Sequence, residues 1–256
     1  MRPNRIKQIW REGRFVTLGW LSVSHPFTAE IMARQGFEAL CVDMQHGLSD
    51  MNDVWPMLQA ISQTDTVPIV RVPWNDPATI MKVLDLGAYG VIVPLVSTAE
   101  EAAKAVAACR YPPVGMRSSG PVRAVHYGGP DYLAKANEEI VVMAMIETKE
   151  GLANLDAICA TPGLDAVYIG PSDLSFALGL PPGPDKTDAL HVETCDKIRD
   201  AAHKHGIKAV MHCASAAFAA GAVRRGFDMV MLTSDLNSMI AGVRRQLEEL
   251  RAATRP

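Results

Sequence analysis

Short apolar runs recur along the chain, and each follows a mixed polar segment that closes on a glycine. ARQGFEALCVDM, LDLGAYGVIVPL, TPGLDAVYIGP and RRGFDMVMLTS repeat this design, and HKHGIKAVMH repeats it again. Gly36, Gly87, Gly163, Gly206 and Gly226 stand at the end of a helical pattern, where the left-handed backbone conformation costs glycine little. The runs are apolar on both faces, which fits parallel strands covered by helices. Eight strands are predicted: Val16–Trp20, Ala39–Asp43, Pro68–Arg71, Gly90–Val93, Val141–Ile146, Ala166–Ile169, Lys208–His212 and Met229–Leu232. Helical patterns lie between them, as at Thr28–Gln35, Pro77–Leu86 and Thr98–Cys109. Eight β/α units in about 250 residues are the length of a TIM barrel. A doubly wound open sheet is the rival, but LGWLSVSHP after the first strand carries no glycine fingerprint.

Two connections are long. RYPPVGMRSSGPVRAVHYGGPDY, between strands four and five, reads as an ordered active-site loop. LGLPPGPDKTDALHVETCDK, between strands six and seven, is Pro-rich and then helical, and could pack over a neighbouring subunit. Nothing resembles a linker, so residues 1–256 are expected to form one domain. With 48% hydrophobic residues the chain can bury one large core. A net charge of −3 without a basic block argues against nucleic acid and anionic membranes as partners. No apolar stretch approaches the roughly 20 residues of a membrane span, and the N-terminus lacks a secretory apolar core. Five scattered cysteines without CxxC spacing read as reduced thiols of a cytoplasmic protein and offer no zinc motif.

In a barrel, chemistry gathers at the C-terminal ends of the strands. Here those ends carry Asp43 followed by His46, then Arg71, Glu147 and Gly170, with Asp173 just beyond. An acid at the end of a buried strand is costly unless something pairs with it. Glu147 and Asp173 on consecutive strand ends suggest a shared divalent cation, Mg²⁺, Mn²⁺ or Co²⁺; the plainer alternative is that both cap helices. Arg71 suits a substrate carboxylate or enolate oxygen, or else a rim salt bridge. His46, with Gly47 turning the chain after it, suits a general base near neutral pH. His212 and His25 also lie at strand ends and are its rivals or supports, while His191, His203 and His205 read as helix-surface residues. The backbone at Gly170, Pro171 and Ser172 could hold a substrate carboxylate. No lysine falls where a Schiff base would need it: Lys208 starts strand seven, at the wrong end, and Lys149 opens a helix.

The stretches VDMQHG, RVPWNDPATIMKVLDLGAYGVIVPLVSTAEEA, RYPPVGMRSSGP, AMIETKEGLANLDAI and LDAVYIGPSDLSFALG, in this order, resemble the HpcH/HpaI family of class II pyruvate aldolases over almost the whole chain. The resemblance implies a phosphoenolpyruvate/pyruvate-binding type of TIM barrel. It implies metal-dependent cleavage of 4-hydroxy-2-keto acids to pyruvate or hydroxypyruvate plus an aldehyde. Glu147 and Asp173 would be the metal ligands, Arg71 the donor-contacting cation and His46 the acid/base. Gly170 and Ser172 would hold the carboxylate, and Asp43 and Asp85 would be supporting acids near the histidine. It further implies a hexamer built from dimers that exchange a C-terminal helix, here Leu236–Ala252. The chain departs from the pattern at Met145, where many members have glutamine, and at Gln45, where many have glutamate. An oxaloacetate-type decarboxylase and a catalytically silent keto-acid-binding barrel are the alternative readings.

Overall fold

A computed structural model describes residues 1–255. Eight parallel strands close in sequential order into a barrel. They are β1 (Val16–Leu21), β2 (Ala39–Asp43), β3 (Val67–Arg71), β4 (Gly90–Val93), β5 (Val141–Met145), β6 (Ala166–Ile169), β7 (Lys208–His212) and β8 (Met229–Ser234). β1 pairs with both β2 and β8, which closes the ring. The strands are buried almost throughout, because barrel side chains fill one face and helices cover the other. The repeated glycines end the helices as expected: Gly36, Gly87, Gly163, Gly206 and Gly226 all have positive φ, between 72 and 101°.

One end of the barrel is plugged. The helix Arg5–Arg11 lies across the N-terminal ends of the strands. Its cap, Asn4, is fully buried and donates to the carbonyls of Tyr89 and Glu139, just ahead of β4 and β5. Lys7 pairs with Asp165 ahead of β6, and Trp10 Nε1 donates to the Asp228 carbonyl ahead of β8. The C-terminal ends of the strands are therefore left as the open face.

Chain direction assigns each loop to a face, and this reverses two expectations. The helix Ala99–Cys109 has already returned the chain to the plugged end before residue 110. The 111–130 stretch accordingly packs there rather than over the open face. It is partly helical, at Val122–Gly128, and is pinned by Arg117, which reaches Asp85 at 2.8 Å and the Tyr132 hydroxyl at 3.1 Å. Asp85 ends the helix Pro77–Asp85 and so stands at the same end, paired with Arg117 and not beside His46. The open-face loop is instead the one after β6. There Asp185 accepts from the Ala214 N–H and the Ser215 hydroxyl, tying residues 179–188 over the ends of β6 and β7.

The C-terminal helix runs from Asp235 to Ala253 and matches the predicted segment. Its first turn is anchored, since Asp235 accepts from the N–H groups of Ser22 and Val23. Beyond that turn Leu236, Met239, Ile240, Val243, Leu247 and Leu250 form an exposed apolar stripe at helical spacing. Among the described residues no helix is long and apolar enough to cross a membrane.

Candidate active site

On the open face a cavity of about 210 Å³ is lined by His46, Arg71, Met145, Glu147, Gly170, Pro171, Ser172, Asp173, Pro184 and His212. Larger surface hollows lie elsewhere, but none gathers this chemistry. The structure thus brings together Arg71, His46, Glu147, Asp173 and the Gly-Pro-Ser turn, as expected from the strand ends.

One wall is cationic. Asp43 and Arg71 end neighbouring strands and face each other in register. Arg71 donates from Nε to Asp43 Oδ1 at 2.8 Å and from Nη2 to Oδ2 at 2.6 Å. Both residues are buried, and the guanidinium lies 4.7 Å over the Trp20 ring. Asp43 also accepts from Trp20 Nε1 at 3.1 Å and from the Gln45 and His46 N–H groups. Burial alone would push its carboxyl up, but Arg71, with Trp20 and the Gln45 N–H, holds it below the usual range. Arg71 thus makes the expected salt bridge through two of its nitrogens, and its Nη1 has no hydrogen-bond partner among the described residues.

His46 is held by its backbone. Its N–H and that of Gln45 bind one Asp43 oxygen, and the chain then folds so tightly that a Cβ at Gly47 would collide with the Asp43 carbonyl. The imidazole is exposed at the cavity's edge and has no hydrogen-bond partner among the described residues. Asp43 thus orients the loop that carries His46 rather than the ring itself.

The other wall is anionic. Glu147 follows β5 and is 3% exposed. Its Oε1 accepts from the Leu95 N–H at 3.0 Å, and Leu95 has a φ of 55°, a conformation side chains other than glycine seldom adopt. Its Oε2 occupies the space a Cβ at Gly170 would need. Burial pushes the Glu147 carboxyl up to about 7; the Leu95 bond opposes this, repulsion from Asp173 adds to it and the Arg71 charge opposes it. Asp173 sits in the first turn of the helix Pro171–Ala177, exposed to the cavity. Among the described residues no three His, Cys, Asp or Glu side chains converge as ligands. Two carboxylates with open positions suit an oxygen-preferring divalent cation that keeps water or substrate in its shell, and not a closed zinc site.

Three contributors escaped the sequence reading. His191 is not on a helix surface: it is 1% exposed, and its Nε2 lies 3.3 Å from the Pro171 carbonyl, under the Gly-Pro-Ser turn. Leu95 supplies the N–H that fixes Glu147. Tyr168 lies beneath the cavity, where its hydroxyl is 2.7 Å from Nδ1 of His212, a lining residue. Strand alternation puts Tyr168 and Gly170 on one face of β6, so Tyr168 was the one with a signal. The two positions that depart from the family pattern are both at this site. Met145 lines the cavity, and Gln45 buries an Oε1 that has no protein partner.

The HpcH/HpaI aldolase/citrate lyase family matches this chain over residues 17–242. The hydroxypyruvate/pyruvate aldolase of Rhizorhabdus wittichii is 42% identical over 249 residues, covering 97% of this chain and 99% of that protein. The 5-keto-4-deoxy-D-glucarate aldolase of Citrobacter koseri is 40% identical over 179 residues, 69% of this chain and 70% of that one. Among solved structures, an HpcH/HpaI aldolase/citrate lyase family protein from Burkholderia cenocepacia superposes with a TM-score of 0.90 at 30% identity, covering 97% of this chain and 99% of the other.

Proposed function

Because the chain belongs to the HpcH/HpaI aldolase/citrate lyase family and is a carbon–carbon lyase, we propose that it catalyses the reversible aldol cleavage of 4-hydroxy-2-keto acids, giving pyruvate or hydroxypyruvate plus an aldehyde. The observation that carries this reading is Glu147. It is a buried carboxylate with no cationic side chain bound to it, and it shares one small cavity with the fixed guanidinium of Arg71.

Glu147 and Asp173 would hold the cation, Mg²⁺, Mn²⁺ or Co²⁺. When bound, it supplies the Lewis acidity that an enolate-forming reaction needs. Arg71 adds a donor where the oxyanion of the donor develops, already oriented by Asp43, so no reorganisation is needed during reaction. The N–H groups of Ser172 and Asp173 begin a helix and have no intrahelical partner, which suits them to the substrate carboxylate. Pro171, which has no N–H, forces the turn that presents them. His46 takes the proton of the C4 hydroxyl during cleavage and returns it during synthesis.

The exposed stripe on Asp235–Ala253 supports exchange of this helix with a second copy of the chain, and the family resemblance extends this to a hexamer as a trimer of dimers. Five buried free thiols fit a cytoplasmic location. The test is a panel of aldehydes offered with pyruvate and with hydroxypyruvate, with and without EDTA, followed by adduct formation and CO₂ release. Adducts that vanish in EDTA and return with Mn²⁺ or Mg²⁺ are expected. Activity that survives EDTA, or CO₂ release from oxaloacetate that outpaces aldol cleavage, would defeat the reading.

A further inference from the structure

His212 is a polar side chain in the cavity for which the aldol chemistry above has no task. It ends β7 and lines the cavity with Arg71 and Pro184. Its Nδ1 lies 2.7 Å from the Tyr168 hydroxyl. Tyr168 is fully buried, and burial pushes its phenol well above the usual range, so the hydroxyl keeps its proton. Burial also pulls the His212 ring down to about 4, with the Arg71 charge acting in the same direction and Asp43 opposing. Neither ring is charged near neutral pH, and the buried Tyr168 hydroxyl has no other acceptor among the described residues, so its proton goes to Nδ1. A neutral imidazole that accepts at Nδ1 carries its proton on Nε2.

The ring is also held in place. Trp20 meets it edge-on with centroids 5.1 Å apart, and Tyr168 packs against it at 6.0 Å. The same Trp20 supports the Arg71 guanidinium and donates to Asp43. Trp20 thus joins His212 to the Arg71 wall, the side on which the donor's oxyanion develops. A single neutral N–H there is poorly suited to a carboxylate, which Arg71 and the Ser172 turn would take better. It suits a neutral hydroxyl on the carbon next to the keto group.

We infer that His212, held by Tyr168 as its Nε2–H tautomer, hydrogen-bonds the hydroxyl of hydroxypyruvate-type donors and selects them over pyruvate. The inference rests on the aldolase reading above. Its force comes from an asymmetry. A site built to bond a substrate hydroxyl leaves a buried donor unpaired when the hydroxyl is missing, so it discriminates more sharply than an apolar pocket does. Tyr168 is a positioning residue in this scheme, because it acts only by fixing the tautomer.

The experiment measures kcat/KM for hydroxypyruvate and for pyruvate, with glycolaldehyde as common acceptor and saturating Mn²⁺. It compares the wild type with His212→Phe, His212→Gln and Tyr168→Phe. The hydroxypyruvate-to-pyruvate ratio should fall at least tenfold in His212→Phe. His212→Gln keeps an N–H near the Nε2 position and should retain most of the ratio. Tyr168→Phe should lower it less than His212→Phe does. Imidazole ¹⁵N resonances should show Nε2 protonated and Nδ1 bare in the wild type from pH 6 to 8, and a tautomer mixture in Tyr168→Phe. A packing role would lower both constants and leave the ratio alone. An unchanged ratio in His212→Phe, or a protonated Nδ1 in the wild type, overturns the inference while the aldolase reading stands. A wild type that turns over neither donor removes both.

Discussion

Replacing Asp43 by Asn should destabilise the barrel far more than a change at a pocket rim ordinarily does. The substitution keeps the shape but strips the charge from a bidentate pair whose members are 2% and 7% exposed. Removing one member of a buried pair costs about 3–5 kcal/mol, because the survivor is left charged and uncompensated. Arg71 borders the cavity, and water entering from above can solvate part of it, which points to the lower end of that range. Arg71→Met should cost less, about 2 kcal/mol. Asp43 would still accept from Trp20 Nε1 and from two backbone N–H groups. If the two residues act as one unit, the double variant should cost less than the two singles together by about 2 kcal/mol or more. Equilibrium urea unfolding, at one protein concentration and in EDTA so that metal linkage does not enter, measures all three. The pH dependence has a defined sign. The folded carboxyl lies below its usual 3.8 because Arg71, with Trp20 and the Gln45 N–H, outweighs burial, so the unfolded chain binds protons first on acidification. The pair's contribution is complete above about pH 4 and is lost as pH falls below that. The gap between wild type and Asp43→Asn should therefore narrow below pH 4. His212 also loses stability on acidification, between 6.5 and about 4; Asp43 raises its pKa, so this loss is larger in Asp43→Asn and widens the gap over that range before the pair's own loss narrows it below pH 4. Additive costs, or a loss under about 0.5 kcal/mol in Asp43→Asn, would show that the pair is not the buried unit its distances describe.

Glu147→Gln and Asp173→Asn should each sharply weaken Mg²⁺ or Mn²⁺ binding in titration calorimetry, with a double loss well short of the sum, and wild-type affinity should rise from pH 6 to pH 8 because the Glu147 proton, leaving near 7, competes with the cation; unchanged affinity in either single variant removes that residue from the metal site. His46→Ala should slow aldol cleavage by roughly 10²–10⁴ while sparing exchange of pyruvate methyl protons with solvent, which needs the enolate but no transfer at the C4 oxygen; an equal loss of both in deuterated buffer would make His46 a base for the methyl proton as well.

The barrel was legible because its signal is repeated. Each β/α unit states its own strand and helix end, and the predicted strands differ from the observed ones by no more than two residues at any end. The strand-end chemistry was legible for the same reason, since a polar residue closing an apolar run has one place to go. The errors concern position along the barrel axis. Asp85 and the 111–130 stretch look like neighbours of the site in sequence, yet each comes after a helix that has carried the chain back to the plugged end. That parity could be read from the sequence: a residue between a strand and its helix lies on the open face, and one between a helix and the next strand does not. By the same rule residues 179–188, which follow β6 and the short helix Pro171–Ala177, belong near the site, and Pro184 lines it. His191 could not be read this way, because only the packing of Ala189–Lys204 under the Pro171 turn distinguishes its buried face from its exposed one.

Asp43 also explains why the site should need a cation at all. Arg71 and Glu147 share one small cavity, and a guanidinium there could neutralise Glu147 directly. It does not, because Asp43 stands opposite Arg71 in register and takes two of its nitrogens. Glu147 is left with one backbone N–H, a like-charged neighbour in Asp173 and a raised pKa of about 7. Near neutral pH that arrangement favours whatever brings positive charge to the carboxylates, a proton or a divalent ion. The pairing on β2 and β3 thus keeps the cationic wall fixed and the anionic wall uncompensated. On the proposed function, a keto acid entering between them would meet a donor on one side and, with the cation in place, a Lewis acid on the other. Asp43→Asn tests this consequence separately from its effect on stability. If Arg71 then swings to Glu147, divalent-metal affinity should fall although neither ligand has been changed, and an affinity that stays at the wild-type value would show that Asp43 does not keep the two walls apart.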